Sequence, residues 1–333
     1  MSPNTAAVKA QLGEFINLYL VKRILYTLFT LWMIATLVFM MTTVLPGSAA
    51  HMILGQSATE ERVAVVEEEL GLDEPIHVRY VDWLSGVVTG DWGESFMYKT
   101  PVFGVIWPRL MRTAQLAVFA TLFVIAVSIP VGVIAAANHE EGLDYGISGF
   151  SYIAVSIPEF VSGTLLLLLL AGPPLNLFPT GGYTAPGESL GDWLSHLVLP
   201  SLTLAFLLLA HVMRQTRAAV IDALQSEYVR AARVKGLPEW VVLFKHALRN
   251  GLLPTITIIA LNFGWMMGSL VVVEEVFNYP GLGQLIVQAI NNRDVPLIQM
   301  AILIPTGTYV FANLGADILY AYLDSRIEFG KGS

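Results

Sequence analysis

The sequence predicts an all-α polytopic membrane protein with six transmembrane helices and a small external helical segment. Composition is the first reason: of 333 residues, 55% are hydrophobic and 13% charged, and the mean hydropathy is +0.64, beyond what the core of a soluble domain of this length requires. The second is the presence of six long apolar runs, since a helix crossing a hydrocarbon layer of roughly 30 Å needs about 20 predominantly apolar residues. They run from Ile24 to Leu45, Thr113 to Ala137, Tyr145 to Ala171, Leu197 to Met213, Gly251 to Val273 and Val295 to Ala316. The first is too long for the core of a signal peptide, and Leu45-Pro46-Gly47 lacks a small-x-small cleavage pattern. The fourth lies near the lower limit of length, and the third contains Pro158 and Glu159.

The third reason is the placement of basic residues, which also sets orientation, because Lys and Arg accumulate on the cytoplasmic side of short loops. Lys22 and Arg23 precede the first run, and Arg214, Arg217, Arg230, Arg233, Lys235, Lys245 and Arg249 cluster between the fourth and fifth. Both termini are therefore expected in the cytoplasm of a multi-pass protein of the cell membrane. The expected organisation is a cytoplasmic N-terminal segment 1–23, a first span 24–45, an external helical segment 46–112, a core of five spans 113–322 with a cytoplasmic loop 214–252, and a cytoplasmic tail 323–333. The loop Asn138 to Asp144 is an exception, cytoplasmic in this scheme yet acidic through Glu140, Glu141 and Asp144.

Several function classes are excluded. With no cysteine, thiolate chemistry is absent. A formal charge of -8 and a pI near 5.2 do not suit a nucleic-acid surface. The acidic balance is unusual for a membrane protein, and adaptation to high salt is one explanation. No G-x-x-x-x-G-K-[ST] run is present to cradle phosphates, and the six histidines show no i, i+4 metal-ligand spacing. No catalytic, cofactor or metal residues are expected, and the chain reads as a non-enzyme.

In the external segment, Ser57-x-x-Glu60 reads as a capping box opening a helix with Val63, Val66 and Leu70 on one face and Gly71 as its stop. After Pro75 a second helix carries Ile76, Tyr80, Trp83, Leu84 and Val87 on one stripe and closes at Gly90-Asp91-Trp92-Gly93. In the basic loop, helical pattern runs from about Ala218 to Val234, stops at Gly236-Leu237-Pro238 and resumes from Glu239 to Asn250, so that two short helices meet at an angle. Ala231-Ala232 admits close approach of another backbone, Gly236 supplies the left-handed conformation of a sharp stop, and Pro238 starts the second helix.

The run Glu227-Tyr228-Val229-Arg230-Ala231-Ala232-Arg233-Val234-Lys235-Gly236-Leu237, followed by His246-Ala247-Leu248-Arg249-Asn250 and Leu252-Leu253-Pro254, resembles the Glu-Ala-Ala loop of ABC importer permeases, and within those the dipeptide/oligopeptide branch. Arg230 stands at the acidic position of the general motif, a departure the branch shares. Leu45-Pro46-Gly47, Leu70-Gly71-Leu72-Asp73-x-Pro75, Gly90-Asp91-Trp92-Gly93-x-Ser95, Pro280-Gly281-Leu282-Gly283, Arg293-Asp294-x-Pro296, Asn313-Leu314-x-x-Asp317 and Tyr320-Ala321-x-Leu323-Asp324-x-Arg326 extend the likeness from about Tyr19 to Glu328. The resemblance implies a type I importer permease with a cytoplasmic coupling helix. Its partners would be a second homologous permease, two cytoplasmic ATP-binding-cassette ATPases, an external substrate-binding protein and the lipid bilayer. Coupling to the ATPases would fall to Glu227, Arg230, Ala231, Ala232, Arg233, Lys235, Gly236 and Leu237, with the three cations facing acidic groups of the ATPase groove.

Charges at membrane depth usually face protein interior or water, so Glu159 is a candidate pathway residue, with an interhelical hydrogen bond as the plainer reading. For Glu274 and Glu275, at the outer end of the fifth run, the resemblance implies a position near the gate, with structural anchoring as the plainer reading. Asp317 is expected to bond neighbouring helices. Importers of sugars or metal complexes share this architecture. A secondary transporter would be the rival of a different class, but no repeat relates the two halves of the chain.

Overall fold

The computed structural model describes residues 3–44, 54, 59–69, 71, 73–173 and 175–323. The turn at Leu45-Pro46-Gly47, the Ser57 cap, Leu70, and the tail from Asp324 onward lie outside them, as do the side chains of Tyr320, Ala321 and Leu323. The described chain is almost wholly helical: α1 Pro3–Val44, α2 Glu60–Glu69, α3 Ile76–Thr89, α4 Val102–Ala137, α5 Gly142–Ser156, α6 Glu159–Leu166, α7 Leu190–Leu224, α8 Glu227–Val234, α9 Leu248–Val276, α10 Leu282–Asn291 and α11 Val295–Leu323. A π-helical turn, Leu167–Ala171, extends α6; a helical turn Glu239–Val241 and π-helical Val242–Ala247 lead directly into α9.

Four stretches are long and apolar enough to cross a membrane: Val21–Thr43, Val102–Ala137, Leu190–Leu224 and Val295–Gly315. The third expected span is not one straight helix. Gly142–Ser156 and Glu159–Ala171 meet at 104°, a broken span that brings the number to five. The break follows from Pro158, which has no N–H to give the preceding turn and forces Ile157 into an extended conformation, φ -90 and ψ 122. Helix α9, 29 residues, is about 43 Å long by its rise and so also exceeds the hydrocarbon layer. Six crossings are compatible with this architecture. Other expected runs are parts of longer helices, most clearly in α1, which begins at Pro3 rather than Ile24, α4, which begins at Val102 rather than Thr113, and α7, which reaches from Leu190 to Leu224.

Lipid tails are as apolar as Leu, so association inside a bilayer depends on close backbone approach and interhelical hydrogen bonds more than on the hydrophobic effect. The most extensive helix pair, α4 with α7, shows it. Small residues Ala117, Ala120, Ala135, Ala136, Ala205 and Ala219 are buried in these two helices. At Gly132 a Cβ would stand 2.7 Å from the carbonyl oxygen of Met213 and 2.8 Å from Thr216 Cβ. Helix α9 also packs on α7, where Thr255 Oγ1 donates to Thr216 Oγ1 at 3.4 Å and a Cβ on Gly251 would come within 3.1 Å of the Ala219 carbonyl. The core of the bundle is the junction of α4, α7 and α9, filled by Leu116, Val124, Leu204, Leu208, Met266 and Leu270.

Helix α3 rests on the C-terminal half of α1. Phe39 packs edge-on to Tyr80 at 5.2 Å and against Trp83 at 5.3 Å, and the Tyr80 hydroxyl meets Thr36 Oγ1 at 2.7 Å. Tyr80, Trp83 and Val87 thus use the expected stripe, while Ile76 is exposed. Gly90 ends the helix in the left-handed conformation, φ 88, and Gly71 is left-handed as well, φ 62.

Gly132→Val is expected to overpack the α4–α7 contact and lower stability by about 1–3 kcal/mol, read as a lower thermal midpoint of the detergent-solubilised protein. Gly104→Val, in the same helix where a Cβ would meet nothing within 4 Å, should leave that midpoint nearly unchanged.

Candidate functional site

The expected helix from Ala218 to Val234 is interrupted. Helix α7 ends at Leu224 and α8 starts at Glu227, separated by Gln225 and an extended Ser226, φ -69 and ψ 153. No Gly or Pro marks the break. Ser226 makes it by turning its hydroxyl back to the Ala223 carbonyl at 2.5 Å while leading off α8 in the position that favours serine. The resumed helix does not stop near Asn250 either: it continues into α9, and Gly251 serves close packing on α7 rather than termination.

Helix α8 is short and strongly two-faced. Val229 and Ala232 are buried against Ala223, Val242 and Ala247, whereas Ala231, Arg230, Arg233, Val234 and Lys235 face outward. The alanine pair is thus divided, Ala232 belonging to the packing of the loop and Ala231 to its free surface. At the C-terminus Gly236 has φ +75, its N–H donates to the Arg233 carbonyl at 2.9 Å, and the Leu237 N–H reaches the Ala232 carbonyl at 3.4 Å. These are the two bonds of a Schellman stop, which needs the left-handed residue. A Cβ at Gly236 would meet nothing within 4 Å, so conformation rather than space demands glycine there.

Two cations of the loop, Arg230 and Arg233, are already engaged within the chain. Glu227, in the first turn where an acid suits the helix dipole, accepts from Arg230 at 3.1 Å. Arg233 Nε donates to both carboxylate oxygens of Glu239 at 3.2 Å, and its Nη1 reaches the Leu224 carbonyl at 3.4 Å, tying α8 to both the following turn and the end of α7. The bond from Arg233 holds the Glu239 carboxyl below the usual carboxylate range, with burial opposing, and the same bond raises the Arg233 guanidinium. A depressed acid keeps its contribution above its unfolded pKa and loses it as pH falls through the lower folded value, so this tie is intact at neutral pH. Around these charges lies an apolar surface: Val234 is 88% exposed and Trp240 69%, with Tyr228 and Phe244 also open.

The three candidate pathway carboxylates do not gather. Glu159 lies at the break of the bent span and accepts from Ser269 Oγ of α9 at 2.8 Å. Glu275 is exposed. Glu274, five residues beyond Ser269 in the last turns of α9, is fully buried, accepting from Thr113 Oγ1 at 2.6 Å and from the N–H groups of Gly283 and Gln284 at 2.6 and 3.1 Å, the open N-terminus of α10. Gly281 and Gly283 are needed there because a Cβ on Gly281 would fall within 2.6 Å of the Glu274 carboxylate, and one on Gly283 would stand 2.5 Å from Val271 Cα.

Two contacts escaped the sequence reading. Asp294, buried, accepts from Ser95 Oγ at 2.5 Å and from Met97 N at 3.0 Å, so Gly90-Asp91-Trp92-Gly93-x-Ser95 and Arg293-Asp294-x-Pro296 are two halves of one junction. Asp144, from the anomalous acidic loop, is clamped by Arg217 of α7, whose Nε and Nη2 reach its two oxygens at 2.5 and 2.6 Å. Asp317 binds Arg23 of α1, as a bond between neighbouring helices.

The described residues thus form a polytopic helical bundle with a basic, two-faced helical loop at one end. The family described as "Binding-protein-dependent transport system inner membrane component" matches residues 128–329, and its N-terminal companion, "Binding-prot-dependent transport system membrane comp, N-term", matches residues 16–117. The "Probable peptide ABC transporter permease protein y4tP" of Sinorhizobium fredii is 36% identical over 94% of this chain and 100% of its own length. The "Oligopeptide transport system permease protein AppB" of Bacillus subtilis is 38% identical over 93% and 99%, and the "Glutathione transport system permease protein GsiC" of Escherichia coli is 35% identical over 93% and 99%. The chain belongs to this family of inner membrane components. It is a non-catalytic, multi-pass ABC importer permease, and the family works with separate ATPases and binding proteins.

Glu274→Ala is expected to orphan three donors and lower stability by about 2–4 kcal/mol, measured as the thermal midpoint of the purified protein. Glu275→Ala, at the exposed neighbour, should stay within about 0.5 kcal/mol of the parent.

Proposed function

We propose that this chain forms half of the translocation pathway of an ATP-driven peptide importer and is driven through the loop 227–254, whose first helix α8 seats on an ATPase. The observation that carries the reading is the surface of α8: a helix held rigidly by the Gly236 stop and the Arg233–Glu239 tie, presenting Ala231, Val234 and the cations outward beside Tyr228 and Trp240. Because Arg233 is bound to Glu239 and Arg230 to Glu227, their role is to stiffen the loop, leaving Lys235 and the apolar surface to meet the ATPase. A rigid projection can transmit displacement where a flexible one would absorb it.

The excess of Lys and Arg in this loop and before α1 supports a cytoplasmic position for it and for both termini. Helices α2 and α3 then lie outside, where a binding protein docks. Peptides are favoured as cargo by the printed names of the relatives, two peptide permeases and one for glutathione, itself a small peptide. The second half of the pathway is a homologous but distinct permease.

Gly236→Val places a β-branched residue in a left-handed conformation that costs about 1–2 kcal/mol even for an ordinary L-residue. The expected result is normal membrane insertion, with peptide uptake and binding-protein-stimulated ATP hydrolysis both largely lost, measured in proteoliposomes holding the complete transporter. Uptake at the parental rate would remove the assignment.

A further inference from the structure

The acidic turn between α4 and α5 has a structure out of proportion to a simple connection. Glu140 adopts φ +65, a conformation uncommon for a residue with a side chain, and its N–H donates to Asp144 at 3.0 Å. Asp144 is 1% exposed. Besides the two-pronged clamp from Arg217, its carboxylate meets Ser148 Oγ at 3.4 Å and His139 Nδ1 at 3.3 Å, and the same imidazole nitrogen lies 3.3 Å from Arg217 Nη2. A carboxylate taken this far out of water is retained only where its donors are fixed, and here the principal donor comes from another span.

Arg217 stands seven residues before the end of α7, about 10 Å along the axis. The interval is filled without a gap. Val229 and Ala232 of α8 pack on Ala223 and Leu224, and Val220, Leu224, Leu243 and Leu248 pack on Val133 and Ala136 at the end of α4. Beyond Asp144, α5 runs to the 104° break at Pro158, where Glu159 is held by Ser269.

We propose that Arg217 and Asp144 are positioning residues for transport: their ion pair makes the α4–α5 turn and the broken span move with the coupling loop, so that displacement of α8 reaches the bend at Ser156–Pro158. This rests on the reading of α8 as the ATPase contact. The hydrophobic contacts around Val220 include no directional bond between α7 and the α4–α5 turn. The two parallel hydrogen bonds from the guanidinium to the carboxylate fix register and angle, which is the property needed to pass on a small movement.

The absence of native cysteine allows single reporters to be placed in this chain. A nitroxide is attached to Gln225→Cys, in the break before α8, or to Glu141→Cys, in the exposed acidic turn, and the labelled permease is assembled with its partner permease and ATPases in nanodiscs. Spectra are compared without nucleotide and with ATP plus vanadate. Both reporters are expected to respond in the parent; in Asp144→Asn and Arg217→Gln the Gln225 reporter still responds while the response at Glu141 falls at least twofold. Arg217→Lys, which keeps the charge but not the two-pronged geometry and is the least disruptive of the three, should give an intermediate response. A full Glu141 response in Arg217→Gln, Asp144→Asn and Arg217→Lys alike overturns the proposal. A parent in which the Gln225 reporter is silent instead defeats the ATPase-contact reading beneath it.

Discussion

A carboxylate withdrawn from water must be given donors by the chain itself, and this constraint fixes how the spans of the permease sit. Asp144, Glu274 and Asp294 are almost fully buried, and each takes at least one hydrogen bond from an element remote in sequence. Asp317, partly buried, does the same with Arg23. In a bilayer, where apolar surface gives little preference for one helix contact over another, such polar matches define register. Glu274 ties α9 to α4 and to the start of α10, Asp294 ties α11 to the segment before α4, Asp144 ties α5 to α7, and Asp317 ties α11 to α1. Glycines cluster where these matches need room, as at Gly281 and Gly283.

The same logic separates the two ends of the molecule. At the end bearing α10, buried acids accept from backbone N–H groups and hydroxyls, producing a closed junction of α4, α9, α10 and α11 around Tyr279, whose hydroxyl donates to the Arg112 carbonyl at 3.1 Å. At the end bearing α8, Arg217, Arg230 and Arg233 are paired with carboxylates, and Val234 and Trp240 are exposed beside them. One end is consolidated internally; the other is stiffened so that it offers a surface. That asymmetry suits a subunit whose motor is another polypeptide.

Local features were legible in the sequence wherever one residue type decides the conformation. Gly236 and Gly90 are left-handed where a helix must stop, and the stripe through Tyr80, Trp83 and Val87 faces α1 and the neighbouring core. Pro158 marks a break in the third run, but a periodicity argument gives no angle for the bend. The break at Gln225–Ser226 left no trace because serine is tolerated inside a helix and beside its cap alike. The long-range pairs were illegible for a different reason: Asp144 and Arg217 are 73 residues apart, and Ser95 and Asp294 are 199 apart, so only the packed bundle brings them together. The acidity of the turn before α5, an exception to the expected charge pattern, and Asp317 at membrane depth are the visible signs of such pairs, without naming the partners.

The central claim is that the outward face of α8 is the seat of an ATPase. Hydrogen exchange across Glu227–Leu237, compared between the purified permease pair and the same pair bound to its ATPases, tests it most directly. The account predicts marked additional protection of these amides in the full assembly, extending to the Trp240 turn. Exchange unchanged there, with protection appearing elsewhere on the permease, would contradict it.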